Sequence, residues 1–259
     1  VNFARDALKR GLALEKELGT NPLKFGLIGS TDTHLGTPGL VMERGFSGHG
    51  GAGKPGNQAL EAGFPDVISL NPGGLAVLWA EENARDALFE AMLRKEAYAT
   101  SGTRPVLRFF GGWDYDKDLV KDKNFVKKAY AGGVPMGGDL PPKPKRAKAP
   151  TFAVWALKDP NSGNLDRVQI VKGWYHNGYP WEKIYDVAWS DGRKPAGAGG
   201  AVVKIVSTDG VHTSTNYHKI PPGKLPHVGN TVDVKNATYT NTIGDNMLSA
   251  TWTDPDLEP

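Results

Sequence analysis

The stretch TFAVWALKD, residues 151–159, is a short run of β-branched and aromatic residues that ends in two charged ones. Four more runs of this kind follow residue 104: PVLRFFGGW at 105–113, DRVQIVKGWY at 166–175, KIYDVAWS at 183–190 and LSATWTD at 248–254. Gly, Pro, Asn and Asp separate them, which is typical of short antiparallel strands joined by turns. We therefore predict a β-sandwich over residues 104–259, with one helical turn near residues 121–130.

The first hundred residues have a different pattern. Residues 2–18 carry apolar side chains at helical spacing between an Asn cap and Gly19, and residues 80–98 start with acids and end with basic residues, so both predict helices. Residues 24–30, KFGLIGS, form a nearly uncharged apolar run that predicts a buried strand of the parallel type. The alternation predicts an α/β unit over residues 1–103.

Composition excludes several classes of protein. The 259 residues contain 31 Lys and Arg against 28 Asp and Glu, a net charge of +3 without a dense basic tract, so we expect no nucleic-acid partner. No apolar run is long enough to span a membrane. There is no cysteine, which excludes thiol nucleophiles and Cys-ligated zinc and leaves the compartment open.

A glycine-rich segment at residues 45–58, GFSGHGGAGKPGNQ, has the Gly and Lys spacing of a P-loop. A P-loop also needs a hydrophobic strand before it, a Ser or Thr after the Lys and a helix behind it. Here charged residues precede the loop and Pro55 follows Lys54. We therefore interpret the segment as a loop and expect no nucleoside triphosphate.

The strongest chemical signal is STDTH at residues 30–34, directly after the predicted strand. In an extended chain Asp32 and His34 point to the same side, and a carboxylate with an imidazole suits Zn, Mn or Fe. In α/β barrels, catalytic groups collect at this end of the strands. The spacing alone leaves another interpretation open, in which Asp32 caps a turn and His34 is merely exposed.

Several segments together resemble a known family. FGLIGSTDTH, EAYATSGTR, VPMGGDLP and LDRVQIVKGW are similar to the bacterial family called domain of unknown function 3604, and the resemblance covers nearly the whole chain. That family is related to the PHP superfamily of metallohydrolases. The resemblance implies a PHP-like (β/α) barrel remnant at residues 1–103, followed by the β-sandwich.

The resemblance also implies a metal site. In PHP enzymes a terminal D-x-H motif closes a cluster of two or three metals, so Asp32 and His34 would be ligands of a divalent metal such as Mn, Fe or Zn. The superfamily's H-x-H pair does not occur in this sequence. We therefore expect this chain to be the C-terminal portion of a longer protein whose upstream portion carries the other ligands. An extracytoplasmic location would fit the family.

Further residues are candidates for roles beside the metal. His49 would supply a ligand or carry a proton, or it is a solvated loop residue. Arg85 and Arg104 would hold an anionic substrate through their planar guanidinium groups. The alternative for Arg85 is an ion pair with Glu81 or Glu82 on the same helix. Thr100 and Ser101 offer hydroxyls in TSGTR, a segment equally consistent with an ordinary turn.

The function we expect is therefore part of a metal-dependent hydrolase that uses metal-activated water on a small anionic or ester substrate. Phosphate esters are the first expectation for the substrate, and carboxyl esters or carbamates the second. The alternative is a non-catalytic binding or structural module that keeps the D-x-H triplet without a complete metal site.

Overall fold

A computed structural model describes residues 4–30, 73–198, 201–208, 213–233, 235–236 and 238–257. The fold is mixed, with more strand than helix. In chain order its elements are α1 Ala4–Leu18, β1 Ala76–Leu78, α2 Arg85–Leu93, β2 Ala97–Ala99, β3 Val106–Gly112, a 3-10 turn at Leu119–Lys121, α3 Phe125–Gly132, β4 Gly133–Pro135, β5 Thr151–Leu157, β6 Arg167–His176, β7 Tyr179–Trp189, β8 Ala201–Thr208, β9 Thr213–Ile220, β10 Val232–Asp233, β11 Thr238–Tyr239 and β12 Met247–Thr253.

The largest sheet contains four antiparallel strands in the order β12-β5-β3-β4. The register places Phe110 opposite Ala153. These two residues are buried together with Leu119 and Ala129, which come from the 3-10 turn and α3. The main core therefore lies where this turn and α3 cover one face of the sheet.

The other described strands form four antiparallel pairs, β1–β2, β6–β7, β8–β9 and β10–β11. All five runs predicted as strands after residue 104 are strands, so the antiparallel β-rich character of this part is confirmed. The barrel remnant predicted for residues 1–103 is not confirmed. In the described part of that range the strands are β1 and β2, which pair with each other and close no barrel.

The predicted strand at residues 24–30 is wrong. This run forms no strand, and Phe25, Leu27 and Ile28 are 41%, 43% and 66% exposed. It lies beside the chain before and within β2, with Gly26 against Lys95 and Gly29 against Ala99 and Thr100. Its apolar composition predicted burial in a strand, but a strand requires a hydrogen-bonded ladder with a neighbour, and none of the described strand pairs includes this run.

The helix predicted over residues 2–18 is confirmed by α1. The helix ends before Gly19, which adopts φ +73° and whose N–H donates to the Glu15 carbonyl at 2.9 Å. α1 packs against β6 and β7, and Lys9 pairs with Glu182 at 2.7 Å.

The helix predicted over residues 80–98 is too long, because α2 covers only Arg85–Leu93. Lys95 adopts φ +56°, which reverses the chain direction and lets β2 return along β1. The buried position of Tyr98, 9% exposed, belongs to this strand and not to a helix face. No helix in the described ranges is both long and apolar enough to cross a membrane.

Candidate functional site

Three of the predicted site residues, Asp32, His34 and His49, lie outside the described residues, as does the glycine-rich segment 45–58. The described residue nearest to the D-x-H triplet on its N-terminal side is Ser30. Ser30 stands two residues before Asp32 in the chain, and its surroundings are described first.

Ser30 reaches one end of the β1–β2 pair. There the Thr100 N–H donates to the Leu75 carbonyl, and the Leu75 N–H donates to the Thr100 hydroxyl oxygen, each at 3.0 Å. A Cβ atom on Gly74 would lie 2.6 Å from the Ser30 carbonyl oxygen, and one on Gly29 would lie 2.7 Å from that of Thr100. Such distances exclude a side chain, so the two glycines allow the backbones to meet.

Three of the four remaining predicted residues, Thr100, Ser101 and Arg104, lie at or near this end. Ser101 and Arg104 are exposed in the turn that follows β2. The Arg104 N–H donates to Asp159 Oδ2 at 2.8 Å, and the backbone N–H groups of Asn161 and Arg104 hold the pKa of Asp159 below its ordinary value. Arg85 is the exposed first residue of α2 and is not part of the contacts at this end.

A second candidate site, which we call the arginine cleft, lies at the opposite end of the same strand pair. It occupies about 460 Å³ and is lined by Trp79, Glu81, Arg94, Glu96, Arg108 and Tyr130, among others. The Trp79 N–H donates to the Glu96 carbonyl at 3.0 Å, four residues along from the Leu75–Thr100 pair. At roughly 3.3 Å per residue, about 13 Å separates the two ends.

Trp79 and Tyr98 hold the β1–β2 pair against β3. The Trp79 indole N–H donates to the Leu107 carbonyl at 3.0 Å, and the Tyr98 hydroxyl donates to the Pro105 carbonyl at 2.9 Å. These bonds bring the indole ring under Arg108, whose guanidinium carbon lies 3.2 Å from the ring centroid. The β1–β2 pair and β3 therefore form two walls of the arginine cleft.

α3 supplies the third wall through Tyr130. Its hydroxyl donates to Glu96 Oε1, and Arg108 Nη1 donates to the same hydroxyl at 3.4 Å. The other carboxylate oxygen of Glu96 pairs with Arg94 Nε at 3.5 Å. Burial and the bond to Glu96 both raise the pKa of Tyr130, so the phenol keeps its proton at neutral pH.

The comparisons with known proteins assign the chain to a family. A family model described as "Protein of unknown function (DUF3604)" matches residues 1–221 and 206–259. The chain belongs to the DUF3604 family. No curated protein and no solved structure matches this DUF3604 chain.

The arginine cleft of this DUF3604 chain was missed in the sequence. Its residues come from the segment after β1, the segment between α2 and β2, β3 and α3, and only those within one such segment are close in sequence. Among the described residues no group of three His, Asp or Glu side chains is arranged to hold a metal ion.

Proposed function

We propose that this DUF3604 chain forms part of a metal-dependent hydrolase, with Asp32 and His34 as metal ligands. The proposal includes the PHP-like barrel remnant at residues 1–103 and the β-sandwich after it. The observation that carries it is the D-x-H triplet, which starts two residues after a backbone contact between Ser30, Gly74 and Thr100. Thr100, at this contact, begins the segment Thr100–Arg104 that carries the proposed substrate-binding residues.

The donor types fit the proposed metal. A carboxylate and an imidazole suit Mn, Fe or Zn. When bound, such an ion would make water acidic enough to supply a nucleophile near neutral pH and would stabilise negative charge on the attacked oxygen. Two ligands do not complete a site, so the proposal requires further ligands from outside the described residues or from an upstream portion of the same protein.

The turn after β2 has the features of a substrate-binding segment. The exposed Ser101 hydroxyl and the Arg104 guanidinium would bind the anionic or ester group of a small substrate. Thr100 has a positioning role in this scheme, because its hydroxyl accepts the Leu75 N–H and fixes the turn relative to Gly74. His49 remains a proposed proton carrier or further ligand, and Arg85 a proposed anion contact.

The test is hydrolysis by the complete gene product supplied with Mn, Fe or Zn. We expect turnover of p-nitrophenyl phosphate above that of p-nitrophenyl acetate and an aryl carbamate. Asp32→Asn and His34→Ala should each lower it by about 100-fold or more, because both would disturb the nucleophile. The exposed His227 provides the control variant His227→Ala. No turnover of any of the three substrates would favour the non-catalytic module.

A further inference from the structure

In the arginine cleft the two arginines differ in the partners that the described residues give them. Arg94 is balanced by Glu96, whose side chain is only 4% exposed and whose two oxygens bind Arg94 and Tyr130. Within the part of the chain that the structure describes, Arg108 has no carboxylate at ion-pair distance, and its one side-chain hydrogen bond is the 3.4 Å contact to Tyr130. A guanidinium has five N–H donors, so most of those on Arg108 are available.

Arg108 is also held in place before any ligand arrives. One face of its guanidinium stacks on Trp79, and the indole itself is fixed by its bond to the Leu107 carbonyl. The Tyr130 hydroxyl, oriented by the buried Glu96, accepts from one edge of the group. A fixed guanidinium loses little rotamer freedom on binding, which favours recognition of a planar oxyanion through two parallel hydrogen bonds.

We propose that the arginine cleft binds the carboxylate of a small organic acid through Arg108. Among the described residues Arg108 has no carboxylate at ion-pair distance, and a planar, singly charged carboxylate matches the two parallel donors of its guanidinium. A doubly charged phosphate would gain less, because Glu96 lies in the same cleft and Glu81 lies at its exposed rim. Tyr130 contributes its ring as an apolar wall and its hydroxyl as an orienting contact for Arg108.

This site is separate from the Thr100–Arg104 turn, where the hydrolase proposal has its substrate contacts. The turn and the arginine cleft lie at opposite ends of the β1–β2 pair, about 13 Å apart along the strands. Binding of a carboxylate at Arg108 uses neither Asp32 nor His34, so the two proposals can fail independently.

Nuclear magnetic resonance of the 259-residue chain tests the inference directly. Acetate, benzoate and inorganic phosphate are titrated separately at constant ionic strength while the Trp79 indole N–H signal, identified by its loss in Trp79→Phe, is followed. We expect a saturable shift with the two carboxylates and a weaker one with phosphate. Arg108→Met should weaken carboxylate binding by about tenfold or more, whereas Arg146→Met, which removes an exposed arginine outside the cleft, should leave it unchanged.

Three results would overturn the inference: no saturable shift with either carboxylate, a shift of equal midpoint in Arg108→Met, or saturation by phosphate alone. If Arg108→Met fails to fold by circular dichroism, Arg108→Lys takes its place. Lysine keeps the charge but cannot form the two parallel bonds, so its affinity should be clearly lower than that of the native chain. Equal affinity in Arg108→Lys would contradict recognition by the guanidinium.

Discussion

Two regions of this molecule each bring two arginines together with carboxylates, and they use them differently. Around Asp166, the side chains of Arg167 and Arg193 are only 15% and 12% exposed. In the arginine cleft, Arg94 is 47% exposed and Arg108 faces an open space with no carboxylate at ion-pair distance among the described residues. The first region is a closed network and the second is open to a ligand.

In the closed network, both arginines donate to backbone carbonyls and to a carboxylate of the protein itself. Arg193 donates to the Ser190 carbonyl at 3.1 Å and to the Pro226 carbonyl at 2.7 Å, and its Nη1 lies 2.6 Å from Asp166 Oδ1 as an ion pair. Arg167 donates to Asp166 at 2.9 Å and to the Pro226 carbonyl at 3.0 Å. Both arginines thereby tie the segment at Pro226 to the β6–β7 hairpin. The difference teaches that the acceptors around an arginine, and not the arginine itself, separate a structural role from a binding role.

The largest effect on stability is expected from Arg193→Met. It should lower the free energy of unfolding by about 2–3 kcal/mol, because carbonyls and a carboxylate in a mostly buried network lose their donor. Urea denaturation followed by tryptophan fluorescence measures this. The matched control is Arg146→Met in the exposed connector, which should change stability by less than about 0.5 kcal/mol. Equal effects in the two variants would show that the network contributes nothing.

A smaller, pH-dependent effect is expected at Tyr115 in the core. Its hydroxyl donates to the Ala129 carbonyl at 2.6 Å, and burial raises its pKa to about 12. Tyr115→Phe should cost about 1 kcal/mol at neutral pH through the lost hydrogen bond. The raised pKa means that the folded state holds this proton more tightly than the unfolded state does. The contribution is therefore complete below about pH 10 and is lost as the pH rises through about 12.

The measurement is the difference in unfolding free energy between the native chain and Tyr115→Phe across this alkaline range. That difference should shrink as the pH rises. The 67% exposed Tyr179 provides the control Tyr179→Phe, for which the difference should stay flat. A difference for Tyr115→Phe that does not change with pH would contradict the assigned burial of the phenol.

The smallest effect is expected from Arg108→Met, about 0.5 kcal/mol, because it loses only a stacking contact with Trp79 and one long hydrogen bond. Urea denaturation of Arg108→Met and Arg193→Met under the same conditions compares the loss of unfolding free energy in the arginine cleft with that in the closed network. A loss at Arg108 as large as that at Arg193 would mean that the arginine cleft is also a structural network.

Local sequence patterns predicted part of this structure. The five β-branched and aromatic runs after residue 104 are strands, and α1 ends at Gly19, because these features depend on neighbouring residues alone. The end of α2 depends on the left-handed conformation of Lys95, which is not glycine and gives no sequence signal. The run at residues 24–30 shows that apolar composition does not reveal which partner a segment has.

The arginine cleft was out of reach of sequence patterns for a related reason. Trp79, Glu96, Arg108 and Tyr130 meet only because the β1–β2 register and the docking of α3 bring them together. Their spacing along the chain does not predict that these side chains come together. The D-x-H triplet is the opposite case, because its two proposed ligands lie two residues apart and their spacing alone is enough to predict a shared ligand role.

The central claim, that Asp32 and His34 bind a catalytic metal, is tested most directly by elemental mass spectrometry of the complete gene product purified without chelator. We expect about one or more equivalents of Mn, Fe or Zn per chain, lowered substantially in His34→Ala and unchanged in His227→Ala. The circular dichroism spectra of the three proteins should coincide, since a metal ligand tolerates truncation better than a core residue does. Metal content in His34→Ala equal to that of the native protein, or no metal in either, would contradict the claim.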